Sequence, residues 1–386
     1  MESLSAWLTE RRKSGRHRRL PATDRPAPGR IADTDGRILY DFVSNDYLAL
    51  TAHPRLIEAS HAALDRYGTG AGAARLMSGD LAIHRQLEEE AARLTGKEAA
   101  LLFGSGYLAN AGIIPALVGR GDLVLTDRLD HASIYDGCRL AGARLLRFRH
   151  NDCDHLESQL RRHRGRNALV VVESVYSMDG DFAPLADLVD LKNQYGFVLM
   201  VDEAHAVGIY GEGGGGRVVE AGLSDGVDIV MGTFGKALGS YGAFAAADRI
   251  LIEYLVNRAR TFIFSTALPP AVIGASLAGI ELVRATPELR ADLAAKAKHF
   301  KETLAAHGIT TASPSQIVPV IIGADEAALE CAKGLRERGI YVTAVRPPTV
   351  PAGTARLRLS ITRHQTDEAL AEAAAAVAAV IGAITL

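Results

Sequence analysis

Short apolar runs that end on a polar or small residue recur through the middle of the chain. Ala99–Phe103 stops at Gly104, Phe197–Val201 at Asp202, and Val227–Met231 at Gly232. Runs of this length without apolar–polar alternation predict strands buried on both faces, as in a parallel sheet covered by helices. From about residue 51 to 285 such strands alternate with helical patterns, which predicts an α/β large domain with a mostly parallel central sheet. From 286 to 386 the order changes. A helix over 288–307, a strand over Val318–Ile322, a helix over Asp325–Arg338, strands over Ile340–Val345 and Arg356–Ile361 and an alanine-rich helix from Asp367 predict a small α+β domain. Residues 1–50 read as a separate lead-in. It holds a short amphipathic helix with Leu4, Trp7, Leu8 and Arg11 at helical spacing, a Pro-rich stretch, and the arm Phe42–Leu48. No internal repeat is evident, and the glycine tract Gly213–Gly216 reads as a flexible turn.

The polar residues that close these runs carry the chemistry. Ligands collect at the carboxyl ends of strands in open α/β sheets, so Asp202, His205 and Lys236 are expected to face one crevice. An aspartate can keep a pyridine nitrogen protonated, a histidine can reach a ring hydroxyl, and a lysine can carry a carbonyl cofactor through its amine. That set is what pyridoxal phosphate requires. Taken singly, Asp202 could cap a loop and Lys236 could be a solvated lysine; their shared place at strand ends favours the site. Gly104-Ser105-Gly106, a tight turn before a helix running from Tyr107 through Leu117, is the candidate phosphate site: small residues let backbone N–H groups approach an anion at a helix start. Most such turns are only turns, and this one gains weight from the cofactor implied elsewhere.

Composition narrows the class. A chain of 386 residues can bury a large core in two or more folding units. A net charge of −2 gives no general attraction to nucleic acid or membrane. Cys138, Cys153 and Cys331 lack metal-type or paired spacing, so neither a zinc site nor a disulfide framework is expected. Without an apolar span or a secretory h-region the expected location is cytoplasmic. The basic cluster Arg11–Lys13 and Arg16–Arg19 could be mistaken for targeting, but Glu2 and Glu10 argue against a transit peptide.

Seven segments together resemble the α-oxoamine synthase family of fold-type I pyridoxal phosphate enzymes. They are Ser44–Leu48, Gly104–Tyr107, Asp130–Ser133, Ser174–Gly180, Asp202–His205, Thr233–Lys236 and Arg346–Thr354, and they span nearly the whole chain. The resemblance implies condensation of an amino acid with an acyl thioester, with loss of carbon dioxide and release of the carrier thiol. It also implies roles. Lys236 would carry the cofactor and act as base at Cα; Asp202 would hold the ring nitrogen; His205 and Ser177 would bond the ring-oxygen region; Gly106, Tyr107 and Thr233 would hold the phosphate. His131 would stack on the ring and meet substrate. The family is further similar in being homodimeric with a shared active site, which would bring Thr266 of the second subunit to the phosphate.

Substrate choice rests on fewer residues. Arg356 and Arg358 alternate with Leu357 and Leu359, so on a strand both arginines share a face. Arginine offers a planar bidentate fork for a carboxylate. Exposed arginines without a ligand are the alternative; the resemblance points to Arg358 for the amino-acid carboxylate, helped by Asn45. Arg18, in a register open by one or two positions, and Thr349 would meet the acyl group. The stretch Arg346–Thr354 is most similar to the biotin-pathway branch, which implies L-alanine with pimeloyl-CoA or pimeloyl-acyl carrier protein. The other readings are a glycine-using member such as 2-amino-3-ketobutyrate CoA ligase, or a non-catalytic cofactor-binding regulator. Tyr241, where many members carry a smaller residue, either narrows the entry or packs.

Overall fold

The computed structural model describes residues 3–14, 17, 18, 20 and 22–385. Glu2, Arg16 and Arg19 lie outside the described residues, so of the basic cluster only Arg11–Lys13, His17 and Arg18 can be placed. By its contacts the chain forms two compact units, one from residues 45–293 and one from 1–44 together with 294–386.

The 45–293 unit is built on a seven-stranded sheet. Its order is Ala99–Phe103, Ala243–Ala247, Ile229–Thr233, Val198–Asp202, Ala168–Glu173, Leu123–Asp127, Arg144–Phe148. Only Ala243–Ala247 runs antiparallel to its neighbours. The expected continuous burial is present, and alternation within each strand divides the sides. Val124, Leu169, Val171, Met200 and Met231 enter one core, whereas Leu125, Val170, Val172, Leu199 and Val230 enter the other. Two strands are displaced from their expected limits: Val198–Asp202 includes its aspartate, and Ile229–Thr233 runs through Gly232. Because the strands are parallel and in register, Asp127, Glu173, Asp202 and Thr233 all close at the same edge.

The glycine tract is a packing device rather than a flexible turn. Gly213, Gly214 and Gly216 have φ of 59°, 83° and 105°, a region that side chains with a Cβ rarely adopt. A Cβ on Gly214 would lie 2.6 Å from Val283 Cγ1, and one on Gly216 would collide with Glu203 Oε2. That oxygen is needed: Glu203 is buried and accepts from Arg217 N at 2.7 Å and, through its other oxygen, from Val218 N at 3.0 Å. Gly216→Ala is therefore expected to destabilise the protein by at least about 2 kcal/mol, read as a lower urea midpoint at unchanged slope.

In the second unit the Pro-rich stretch is not irregular. Asp24–Ala27, Arg30–Ala32 and Ile38–Asp41 form an antiparallel meander. The expected strand Ile340–Val345 breaks at Val342. Ile340–Tyr341 pairs parallel with Ile38–Asp41, while Thr343–Val345 pairs with Ala355–Ser360. A single run of β-formers thus serves two sheets, which a period-two pattern cannot distinguish from one strand. Ala355–Ser360 is central in its sheet, between Ile317–Gly323 and Thr343–Val345, so Arg356 and Arg358 are buried along with Leu357 and Leu359. The N-terminal helix forms over Leu4–Lys13 but buries none of its residues; Leu4 is 83% exposed. Its Arg11 guanidinium lies 4.8 Å from the Trp7 ring centroid.

Candidate active site

At the carboxyl edge of the sheet, Lys236 Nζ lies 2.8 Å from His205 Nε2. His205 Nδ1 is 2.8 Å from the Tyr47 hydroxyl, which also lies 3.0 Å from Asn45 Oδ1. One direction of donation satisfies the whole chain. A lysine proton goes to Nε2, Nδ1–H donates to Tyr47, and Tyr47 donates to Asn45. The Lys236 loop joins antiparallel strands and is held by Phe234 N donating to Gly242 O and Ser240 N donating to Phe234 O, both at 2.9 Å. The Thr233 hydroxyl is part of this scaffold, donating to Gly242 O at 2.8 Å and accepting from Gly235 N at 3.2 Å.

Asp202 closes the neighbouring strand. Its Oδ1 accepts from Ala204 N and its Oδ2 from Asn110 Nδ2, each at 2.9 Å. Asn110 Nδ2 also reaches Ser133 Oγ at 2.9 Å, tying the helix Gly106–Leu117 to the loop that carries His131. Glu173 stands in register beside Asp202. Burial, and next the Asp202 charge, push its carboxyl up to about 8, with Lys236 opposing. Its Oε2 accepts from Ser177 N at 3.2 Å. His131 caps the helix Ala132–Ala141, with Nδ1 2.8 Å from Ser133 Oγ. Desolvation lowers its pKa; Asp202 pulls the other way, and Lys236 reinforces the lowering.

The helix Gly106–Leu117 begins where the glycine turn was expected to lead. Ser105 Oγ accepts from Leu108 N at 3.2 Å, so the Gly106 and Tyr107 N–H groups remain without an intrahelical acceptor. Ser177 is buried, and Thr266 is exposed, bridging in antiparallel fashion to Ala74. Of the remaining expected site residues, Arg18, Thr349 and Arg358 belong to the other unit. Arg358 is buried with Nη1 2.8 Å from Ser360 Oγ; Arg18 and Thr349 are exposed. Tyr241 is 54% exposed. Among the described residues no set of three or more His, Cys, Asp or Glu side chains is placed to hold a metal, and no helix is long and apolar enough to cross a membrane.

Sequence reasoning missed three participants: Tyr47 as the second partner of His205, Asn110 on Asp202, and Glu173. The last had a signal, since Ala168–Val172 is also an apolar run ending on an acid. The residues present fit pyridoxal phosphate. A buried carboxylate, an amine beside a histidine, and a helix start with unclaimed N–H groups match a ring nitrogen, a carbonyl and a phosphate in turn.

Residues 37–377 match the family described as aminotransferase class I and II. The chain belongs to that family. Within the aminotransferase class I and II family it is 49% identical to an 8-amino-7-oxononanoate synthase of Geobacter sulfurreducens over 97% of both chains, and 48% identical to that of Geobacter metallireducens over 98% of both. Among solved structures, the serine palmitoyltransferase of Sphingomonas wittichii superposes with a TM-score of 0.93 at 33% identity, covering 98% of this chain and 97% of the other. A serine palmitoyltransferase of S. paucimobilis with bound PLP and myriocin gives 0.93 at 32% identity, over 100% and 98%. An 8-amino-7-oxononanoate synthase of Francisella tularensis gives 0.79 at 28% identity, over 90% and 99%.

Proposed function

We propose that this aminotransferase-family chain is a pyridoxal-phosphate-dependent acyltransferase that condenses L-alanine with a pimeloyl thioester, giving 8-amino-7-oxononanoate, carbon dioxide and the free thiol. The observation that carries the reaction class is the convergence of Lys236, His205 and Asp202 on one sheet edge; the near-full-length identity to 8-amino-7-oxononanoate synthases supports the substrates. When bound, pyridoxal phosphate supplies an electron sink for negative charge at the amino acid's Cα.

The chain's own residues do the rest. Asp202 keeps a proton on the ring nitrogen, and its bonds from Ala204 N and Asn110 fix both carboxylate oxygens. Lys236 would hold the cofactor through its amine and, when that amine is free, would move the proton at Cα. His205, oriented by Tyr47, and Ser177 hold the ring-oxygen side. The amides of Gly106 and Tyr107 take the phosphate, with Thr233 shaping the adjoining loop and Thr266 entering from the second subunit of a homodimer. His131 would face the ring, and its lowered pKa keeps the imidazole in the neutral form that a general base needs. Arg358 orients the substrate carboxylate with Asn45, and Arg18 and Thr349 take the acyl group, carried by coenzyme A or acyl carrier protein.

The test is a matrix of amino acids against acyl thioesters, scored by thiol release. L-alanine with the pimeloyl thioester is expected to give the highest kcat/KM. Serine with a long-chain thioester stands as the rival, since the solved structures matching at a TM-score of 0.93 include serine palmitoyltransferases; preference for that pair, or for glycine with a short acyl group, would sink the assignment.

A further inference from the structure

One histidine outside the site is gripped by two carboxylates. His150, just after the edge strand Arg144–Phe148, has Nδ1 2.9 Å from Asp127 Oδ1 and Nε2 2.6 Å from Asp181 Oδ2. Carboxylates only accept, so both ring nitrogens must carry protons for both bonds to exist, and the ring is then a cation. Three strand ends meet there. Asp127 closes Leu123–Asp127, and Asp181 follows the Ser174–Gly180 segment after Ala168–Glu173. Asn151 reinforces the same crossing, donating through its backbone N–H to Asp127 Oδ2 at 2.8 Å and through Nδ2 to Asp181 Oδ2 at 3.0 Å and Phe182 O at 3.1 Å.

Both loops secured in this way lead into the site. Asp127 N donates to Asp130 Oδ2 at 2.9 Å, and Asp130 Oδ1 accepts from Glu173 N at 3.1 Å, immediately before His131 in the chain. Tyr176 N donates to Asp181 O at 3.0 Å, one residue before Ser177, and the Tyr176 ring meets the His150 ring edge-on with centroids 4.5 Å apart. We propose that His150, clamped between the carboxylates of Asp127 and Asp181, is a positioning residue that locks the loops bearing His131 and Ser177 in their working geometry. The inference rests on the roles given to those two residues under the proposed function.

The surroundings favour the charged ring. Burial works against the cation, but the hydrogen bonds and charges of Asp127 and Asp181 outweigh it and raise the pKa to about 9. Two acidic groups packed close by are kept from adding negative charge. Asp130 is held well above the usual carboxylate range by burial, with Asp127 and Glu173 adding to it, and burial likewise keeps the Tyr176 phenol neutral. The clamp is therefore complete at neutral pH and opens as pH rises through about 9.

Two measurements test this. In amide hydrogen exchange at pH 7, with and without added pyridoxal phosphate, His150→Gln is expected to speed exchange in the peptides covering 128–133 and 174–181, and to lower kcat/KM roughly 10- to 100-fold. Asp181→Asn, which keeps an acceptor but removes a charge, is expected to fold normally and to move the alkaline limb of the kcat/KM profile toward neutral by about one pH unit. Unchanged exchange in both loops, or an alkaline limb that stays in place in Asp181→Asn, would overturn the proposal. The exchange measurement uses no substrate, and the pH profile is run with whichever pair the matrix identifies. A wrong substrate assignment therefore leaves both readouts intact.

Discussion

Lys236→Ala is expected to lower turnover by roughly 10³-fold or more while leaving the fold intact. The loss combines two functions in one amine: holding the cofactor, and moving the proton at Cα. The fold should survive because the bonds that shape the loop are to the backbone and to Thr233, not to Nζ; Gly239 N, for instance, donates to the Lys236 carbonyl at 3.0 Å. Nζ itself meets His205 Nε2, a bond that water can replace. Three readouts separate the functions. The absorbance of bound cofactor should change, the cofactor should be lost on dialysis, and thiol release should fall in the presence of saturating cofactor. Full turnover with an unaltered absorbance would show that the lysine has neither role.

The same segment shows how far a sequence can be read. Asp202, His205 and Lys236 were legible because each follows an apolar run in a parallel strand, and parallel strands deliver their carboxyl ends to one edge. What joins them was not legible. Tyr47 reaches His205 across 158 positions and Asn110 reaches Asp202 across 92, and no periodicity encodes pairing at that range. Glu173 had the right local pattern, but its neighbour Asp202 is set only by strand order. Elements of the unit formed by 1–44 and 294–386 were misread in detail for a related reason. Asp24–Ala27 and Arg30–Ala32 are too short and polar to show alternation, and Ile340–Val345 divides between two sheets at a point the residue types do not mark. The glycine tract was read as flexible because composition reports freedom of φ, not the proximity of Val283 or Glu203.

Asp202→Asn is expected to weaken cofactor binding and lower kcat/KM by about 2–5 kcal/mol, roughly 30-fold to several thousand-fold, while stabilising the cofactor-free protein above about pH 5. The first effect follows from charge. An amide matches the carboxylate in shape, can still accept from Ala204 N, and can donate through Nδ2 to Asn110 once that amide turns its buried, unpartnered Oδ1 toward it, but it cannot hold a proton on a pyridine nitrogen. The second follows from Glu173. Its folded pKa, about 8, lies above the ordinary value of 4.5, and the Asp202 charge is the largest cause after burial. A carboxyl raised on folding binds more protons in the folded state, so its contribution is fully present below the unfolded pKa and is lost as pH rises through the folded one. For Glu173 that window runs from about pH 4.5 to pH 8. Removing the Asp202 charge lowers the Glu173 pKa and narrows the window. Melting of cofactor-free protein should therefore show the variant gaining on the wild type between pH 5 and pH 8. Equal pH dependence of the two proteins would mean that Glu173 and Asp202 do not sense each other. A gain in stability with a loss of activity would instead identify the pair as a strained arrangement kept for the ring nitrogen.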